Sequence, residues 1–450
     1  MRPFITPDRK QISLMPPSIE EWLPENHLAR FVVDIADQLN LSAIYKEYGK
    51  SGSTPYDPRM LVTLLFYGYA TGVFSSRKLE QATYDSVAFR FISGSFHPDH
   101  DTINAFRKRF LPELAKLFVE ILLLAKEIGL VKIGKVNIDG TKVQANASKH
   151  KAMSYGHMEK LEKQLKAEVA QLMKMAESAD ELEDKELDIP EELQRRESRL
   201  QKLKEAKATL KCRAKERYKK EKAEHDEKMK QRQEKEKATG KKIGGKKPKP
   251  PEPGPTSKDQ INFTDPESRI MKGPKAFEQC YNGQAAVNDD MLIVGAYATS
   301  HVNDKQELLP ALDAIAEELG TVTCATADTG YFSEENVKGC EQRKVDPFVA
   351  IGRQGHNQFL DHVLNSTGEN GGIEAKTVKE KMEKKLKSKE GKDVYRTRKM
   401  TVEPVFGIIK EIMGFRRFSL RGEEQANGEW LLVCGAYNLK RLFNMNMGMA

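Results

Sequence analysis

Apolar residues recur at three- and four-residue spacing early in the chain, in Leu28, Phe31, Val32, Ile35 and Leu39 and again in Leu61, Leu64, Leu65 and Tyr69. That period gathers them on one face of a helix, so residues 1–130 read as an all-helical region. Pro55 and Pro58 precede the second of these helices, and Ser93-Gly94-Ser95 with His97-Pro98-Asp99 breaks the chain before a later one, TINAFRKRF. Asp101 is placed to cap that helix, which carries Arg107, Lys108 and Arg109. A basic helix behind a turn has the form of the reading half of a helix-turn-helix, so the three cations are candidate DNA contacts; an ordinary basic surface helix has the same pattern.

At Lys135 the period changes to alternation. VNID and TKVQA, separated by Gly140, read as a strand and the start of another, with Val136 and Ile138 on one face and Asn137 and Asp139 on the other. Asp-Gly is also a hairpin-turn signal, so Asp139 read alone fits a tight turn as well as a cleft. From Met158 to about Thr239 the pattern is helical again and highly charged. One stripe runs through Met158, Leu161, Leu165, Val169 and Leu172, another through Leu193, Leu200, Leu203 and Leu210. The acidic SADELEDKELDIPEE between them contains Pro190, which predicts a protruding helical hairpin. GKKIGGKKPKPPEPGP then reads as a basic, extended linker. Gly240, Gly245 and Lys246 match the opening of a phosphate-binding loop, but Lys247 stands where Ser or Thr is required and no strand precedes, so no nucleotide cofactor is expected.

Alternation returns in CYNGQAAVNDDMLIVGAYATS, with Asn288-Asp289-Asp290 as a hairpin turn. KQELLPALDAIAEELG reads as a helix, TVTCATAD as a strand ending at Asp328, SEENVKGCEQR as a helix capped by Ser333, and PFVAIG as a short buried strand. After a polar loop comes a final helix. A first turn is where Pro404 is tolerated, which places Glu403 at the helix start. Lys410, two turns on, then shares its face about 10 Å away at 1.5 Å per residue. Strand, helical insert, hairpin, helix, strand, helix, strand and helix is the order of a ribonuclease-H-like α/β fold with an interruption. The expected organisation is a helical amino-terminal domain (1–130), a ribonuclease-H-like core (131–150 and 256–450) and a charged helical insert with its linker (151–255).

Charge changes this picture locally. The 450 residues carry a net +8, and residues 151–250 alone account for +8, so the remainder is close to neutral. Residues 195–250 hold 23 Lys and Arg against 9 Asp and Glu, which suits a phosphate backbone and equally a solvated helix. With 39% hydrophobic residues the chain can bury a substantial core. Cys212, Cys280, Cys324, Cys340 and Cys434 are odd in number and widely spaced, which indicates neither a disulfide framework nor a zinc ribbon. No stretch reaches the roughly 18 apolar residues of a membrane span, so a cytoplasmic location is expected.

Three acids stand out as candidate chemistry: Asp139 in VNIDGTKVQANAS, Asp328 in ATADTGYFSEEN and Glu403 in YRTRKMTVEPVFGIIK. Each also has a plainer job available, as turn residue, strand terminus or complement to a helix dipole. Asp304 reads as a cap before a helix, Asp265 as a turn residue, and His97 with His100 as turn residues rather than a zinc pair. Tyr395, flanked by arginines, lacks the other groups that a covalent nucleophile requires.

Over nearly its whole length the chain resembles bacterial insertion-sequence transposases of the DDE class. The resemblance lies in the helical amino-terminal region, NIDGT, TDPESRIM, YNGQAAV, ADTGYF and a closing motif of Tyr, Arg, Glu and Lys that Tyr395, Arg398, Glu403 and Lys410 fill. The family commonly leaves three residues between Arg and Glu; Arg398 leaves four and Lys399 three, so either cation can take that place. What the resemblance implies is a centre of two Mg2+ ions, with Mn2+ able to substitute. Asp139 would bridge the ions, and Asp328 and Glu403 would each complete one site. It further implies cleavage at element ends and joining of the freed 3′-hydroxyl to target DNA, without a covalent protein intermediate. Tyr395, Lys410 and either Arg398 or Lys399 would hold phosphates, the partner would be double-stranded DNA, and a homodimer would form on it. Two other readings are a DNA-binding protein that has lost catalysis and a metal-dependent nuclease that cuts without joining.

Overall fold

The computed structural model describes residues 18–49, 54–179, 189–239, 248–273, 276–352 and 377–447, and among those up to residue 127 the regular elements are all helices. They are α1 (Leu28–Gln38), α2 (Ser42–Lys46), α3 (Pro58–Ala70), α4 (Ser76–Asp85), α5 (Val87–Ser93), α6 (His100–Arg109) and α7 (Leu111–Glu127). Asp57 caps α3, whose first residue is Pro58, and α3 then runs almost wholly through the core. The cap of α6 is Asp99 rather than the expected Asp101: the Asp99 carboxylate accepts from the Thr102 N–H at 2.7 Å, while Asp101 lies inside the first turn. Asp99 has the extended backbone that a cap needs, and Asp101 is already helical.

The chain divides into two compact units, one of residues up to Ala145 and from Cys280 onward, the other from Asn146 to Gln279. In the first, β1 (Lys135–Gln144) is one continuous strand. It passes through Asp139-Gly140 without turning, because Asp139 pairs with Ala285 and Gly140 with Gln284 in an unbroken ladder. The turn that this dipeptide suggested is therefore absent.

The second unit contains β2 (Ala152–Ser154), α8 (Tyr155–Ala179), α9 (Ile189–Thr239), β3 (Gln260–Asn262) and β4 (Arg269–Lys272), with β2 and β3 antiparallel. The apolar stripes of its two helices meet. Met158, Leu161 and Leu165 pack with Leu200, Leu203 and Leu210, closed by Ile261 and Phe263. Arg217 of α9 forms a bidentate pair with Asp259 at 2.9 and 3.0 Å. The acidic segment 180–188 and the phosphate-loop-like residues Gly240, Gly245 and Lys246 lie outside the described residues.

Next come β5 (Phe277–Asn288), which enters the first unit at Cys280, and β6 (Ile293–Thr299), joined by the turn that starts at Asn288, where the Leu292 N–H donates to Asn288 Oδ1 at 2.8 Å. Then follow α10 (Leu308–Asp313), β7 (Cys324–Ala327), α11 (Glu334–Gln342) and β8 (Asp346–Val349). The helix expected from residue 305 to 320 is only this short α10 between two 3-10 turns, because Ile315 leaves it to bridge Gly295 of β6. The sheet has six strands in the order β4-β5-β1-β7-β8, with β6 also paired to β5; β6, β5 and β1 are antiparallel and β1, β7 and β8 parallel. The protein is thus mixed α/β with a mixed sheet and a helical amino-terminal region.

Most of the polar loop expected before the last helix, residues 353–376, lies outside the described residues. Beyond it come α12 (Val378–Lys387), α13 (Lys389–Gly407), which runs into a π-helical turn at Ile408–Ile412, and α14 (Glu423–Met447). Pro404 lies inside α13, so Glu403 is near its carboxyl end and not at its start. Proline removes the bond to the carbonyl of Met400, and Met400 is exposed, where water can take its place. The sequence reading ended before α14, which packs against α3, α7 and β6. Asn427 and Asn438 of α14 bond the outer backbone of β6 at Ala298 and Ile293, so the helix satisfies an otherwise open sheet edge.

Candidate active site

Asp139 points to the same side of the sheet as Asn137, whose Oδ1 accepts from Thr326 Oγ1 of β7 at 2.7 Å. On the next strand Asp328 follows the last residue of β7, and its Oδ1 accepts from the Gly330 N–H at 2.8 Å, capping a short 3-10 turn. Helix α13 crosses β1, β7 and β8 and brings Arg398 and Glu403. The Arg398 guanidinium lies among all three acids. Its Nη2 is 3.4 Å from Asp139 Oδ2 and 3.9 Å from Asp328 Oδ2, and its Nη1 is 3.4 Å from Glu403 Oε1. Exposure rises from 8% at Arg398 and 18% at Asp139 to 43% at Asp328 and 52% at Glu403, so the group forms a cleft with Asp139 at its floor and Glu403 at its rim.

Burial pushes the Asp139 carboxyl up to about 6, against the pull of Arg398, with Asp328 and then Asp304 adding to the rise. Asp304 is the residue that sequence reasoning undervalued. Its Oδ1 accepts from Asn282 Nδ2 at 2.6 Å and Gln284 Nε2 at 2.8 Å, with Lys142 Nζ at 3.4 Å. It makes no side-chain cap for the turn it begins. The only sequence signal was an acid after a strand whose neighbour carries Asn282 and Gln284, and that required the pairing to be known. Asp265 belongs to the other unit.

The basic candidates separate. Arg398 faces the acids while Lys399 is exposed. Tyr395 stands nearby; burial pushes its hydroxyl up, Arg398 pulls it down, and Asp328, Asp139 and Glu403 add to the rise. Lys410 falls in the π turn, where its ammonium donates to the Lys142 carbonyl at 2.8 Å and burial lowers its pKa. Its ammonium is thus engaged by the backbone of β1. Arg107 is 3% exposed and donates to Tyr69 Oη at 2.9 Å and the Phe74 carbonyl at 3.1 Å, which makes it a core residue. Lys108 and Arg109 are the exposed cations of α6, and Arg109 bonds Glu47.

Residues 253–439 match the family model described as Transposase DDE domain, and residues 17–109 match that described as Transposase domain (DUF772). The chain belongs to the DDE transposases. No curated protein and no solved structure matches it. The DDE match contains Asp328 and Glu403 but begins after Asp139, which joins them in this transposase through the pairing of β1 with β7. Among the described residues, no three His, Cys, Asp or Glu side chains converge closely enough to hold one ion. The guanidinium of Arg398 stands between the three carboxylates of the transposase. Nor is any described helix long and apolar enough to cross a membrane.

Proposed function

We infer that this transposase cuts DNA at the ends of an insertion element and joins the freed 3′-hydroxyl to target DNA, at a centre formed by Asp139, Asp328 and Glu403. The observation that carries the reading is the contact of one guanidinium with all three acids, since it gathers residues 139, 328 and 403 about a single positive charge. The antiparallel hairpin on one side of β1 and the parallel strands on its other side support a ribonuclease-H-like core.

The donor set fits hard divalent ions: all three groups supply carboxylate oxygen, and the buried Asp139 has Arg398 as its counter-charge. Asp139, Asp328 and Glu403 would hold Mg2+ or Mn2+, with Asp139 shared. Such ions polarise the scissile phosphate and lower the pKa of an attacking water or 3′-hydroxyl. The chain's own residues do the rest. Asp139, at the floor, is ionised at neutral pH and ready to take a cation. Glu403, at the rim, closes the site on the side from which DNA enters. Tyr395 and the exposed Lys399 lie beside that entrance, and Lys108 and Arg109 are DNA contacts of the helical region. The basic helix α9 holds DNA by its phosphates, and two copies act together on a pair of ends in the cytoplasm.

Incubating the protein with Mg2+ and linear DNA that carries the repeats flanking the gene tests this function. Joined products are the expected outcome. Cleavage without joining would mean a nuclease, and tight binding with neither would mean a DNA-binding protein without catalysis.

A further inference from the structure

Arg398 is held unusually loosely for so buried an ion. Its nearest carboxylate distances are 3.4, 3.4 and 3.9 Å, whereas Arg217 and Asp259 meet at 2.9 and 3.0 Å in a bidentate pair. A committed charge-assisted bond lies near 2.8 Å. The Nε of Arg398 is buried and has no hydrogen-bond partner. The guanidinium is therefore retained by the summed field of three acids and not by close bonding to any one of them. One positive charge among three negative ones also leaves the group short of neutrality.

Three lysines of the region are engaged elsewhere: Lys142 with Asp304, Lys135 with Asp289 and Thr397, Lys410 with the Lys142 carbonyl. A divalent ion lies about 2.0–2.6 Å from a carboxylate oxygen that ligates it. On Asp139 or Glu403 it would repel a guanidinium held 3.4 Å from the same carboxylate, so metal and Arg398 compete for these groups.

We propose that Arg398 is a metal-displaced latch. Without metal its guanidinium closes the three acids together and keeps them assembled. Metal binding releases it from them. The proposal rests on the carboxylates being the metal ligands, and the test separates the two ideas.

Binding of Mn2+ to the full-length protein without DNA, read from the electron paramagnetic resonance signal of the free ion, is compared among wild type, Arg398→Met, Arg398→Lys, Asp139→Asn and Glu403→Gln. Thermal melting in chelator and in Mn2+ is measured alongside. Arg398→Met is expected to bind Mn2+ about tenfold more tightly or better, to melt lower in chelator, and to regain stability with Mn2+. Arg398→Lys, a compact charge with a different reach, is expected to move the same way by less, and serves if the Met variant does not fold. Unchanged or weaker Mn2+ binding in both Arg398 variants, with binding abolished in Asp139→Asn and Glu403→Gln, overturns the latch alone. Wild-type binding in Asp139→Asn and Glu403→Gln overturns the carboxylate assignment beneath it.

Discussion

Asp139 and Asp328 stand at the same level of two neighbouring strands. The parallel register pairs Asn137 with Thr326, and two further residues along each chain are the two acids. There β7 has ended, so Asp328 is released into a turn while Asp139 stays in β1. The like charge of Asp328 then adds to the burial that raises Asp139.

That raised pKa makes ionised Asp139 a burden on the metal-free fold. Its folded value of about 6 exceeds the ordinary aspartate value of 3.8. The stability tied to the protonated form is thus complete below the unfolded pKa and is lost as pH rises through the folded one. In chelator, wild type should lose roughly 3 kcal/mol or less from this group between pH 4 and 7. Asp139→Asn should be flatter across that window and more stable at pH 7. Denaturant unfolding at several pH values checks this; parallel curves for the two proteins would refute it.

Gly140 marks a close approach. A Cβ there would lie 2.4 Å from Gln284 Nε2, 2.8 Å from Asp304 Oδ1 and 2.9 Å from Asn282 Oδ1, the groups that fix Asp304. Gly140→Ala should cost about 1–3 kcal/mol in unfolding experiments and reduce strand transfer. Gly134→Ala, whose nearest neighbour would be 3.9 Å away, is the control and should change neither.

Arg107 and Lys108, adjacent in sequence, should fail differently. Arg107→Met removes a buried cation from Tyr69, which in turn donates to the buried Glu429 at 3.1 Å, and should destabilise by about 3 kcal/mol. Lys108→Ala should stay within about 0.5 kcal/mol of wild type and weaken DNA binding. Melting curves beside DNA titrations distinguish the two; equal losses of stability would contradict the assignment.

In the second unit, Lys215, Lys219 and Lys222 are exposed on α9. Replacing all three by Glu should flatten the dependence of log affinity on log salt by about 3, with the melting temperature kept because the packed stripe is untouched. An unchanged slope would remove this helix from the DNA interface.

Much of this was legible in the sequence because local rules decide it. Alternation showed β1, β5 and β6, Asn288 marked the hairpin, and Ser333 caps α11 by accepting from Asn336. The three acids stood out because each belongs to a different element. What was hidden depends on pairing or on burial. Only the register of β1 with β7 puts residues 139 and 328 level, and only β5 beside β1 explains Gly140 and Asp304. Helix α14 lacks a polar face long enough to betray its period, since Trp430, Leu432, Val433, Cys434, Ala436 and Tyr437 are all buried. Pro404 misled because a helix that relaxes into a π turn accommodates proline near its end.

The central claim is that Asp139, Asp328 and Glu403 form one metal centre. Anomalous diffraction at the manganese edge from crystals of the transposase grown with Mn2+ and DNA ends tests it most directly. Manganese peaks bounded by these three carboxylates, with Arg398 turned away from them, are the predicted result. Peaks at other residues, or none while DNA is bound, would contradict it.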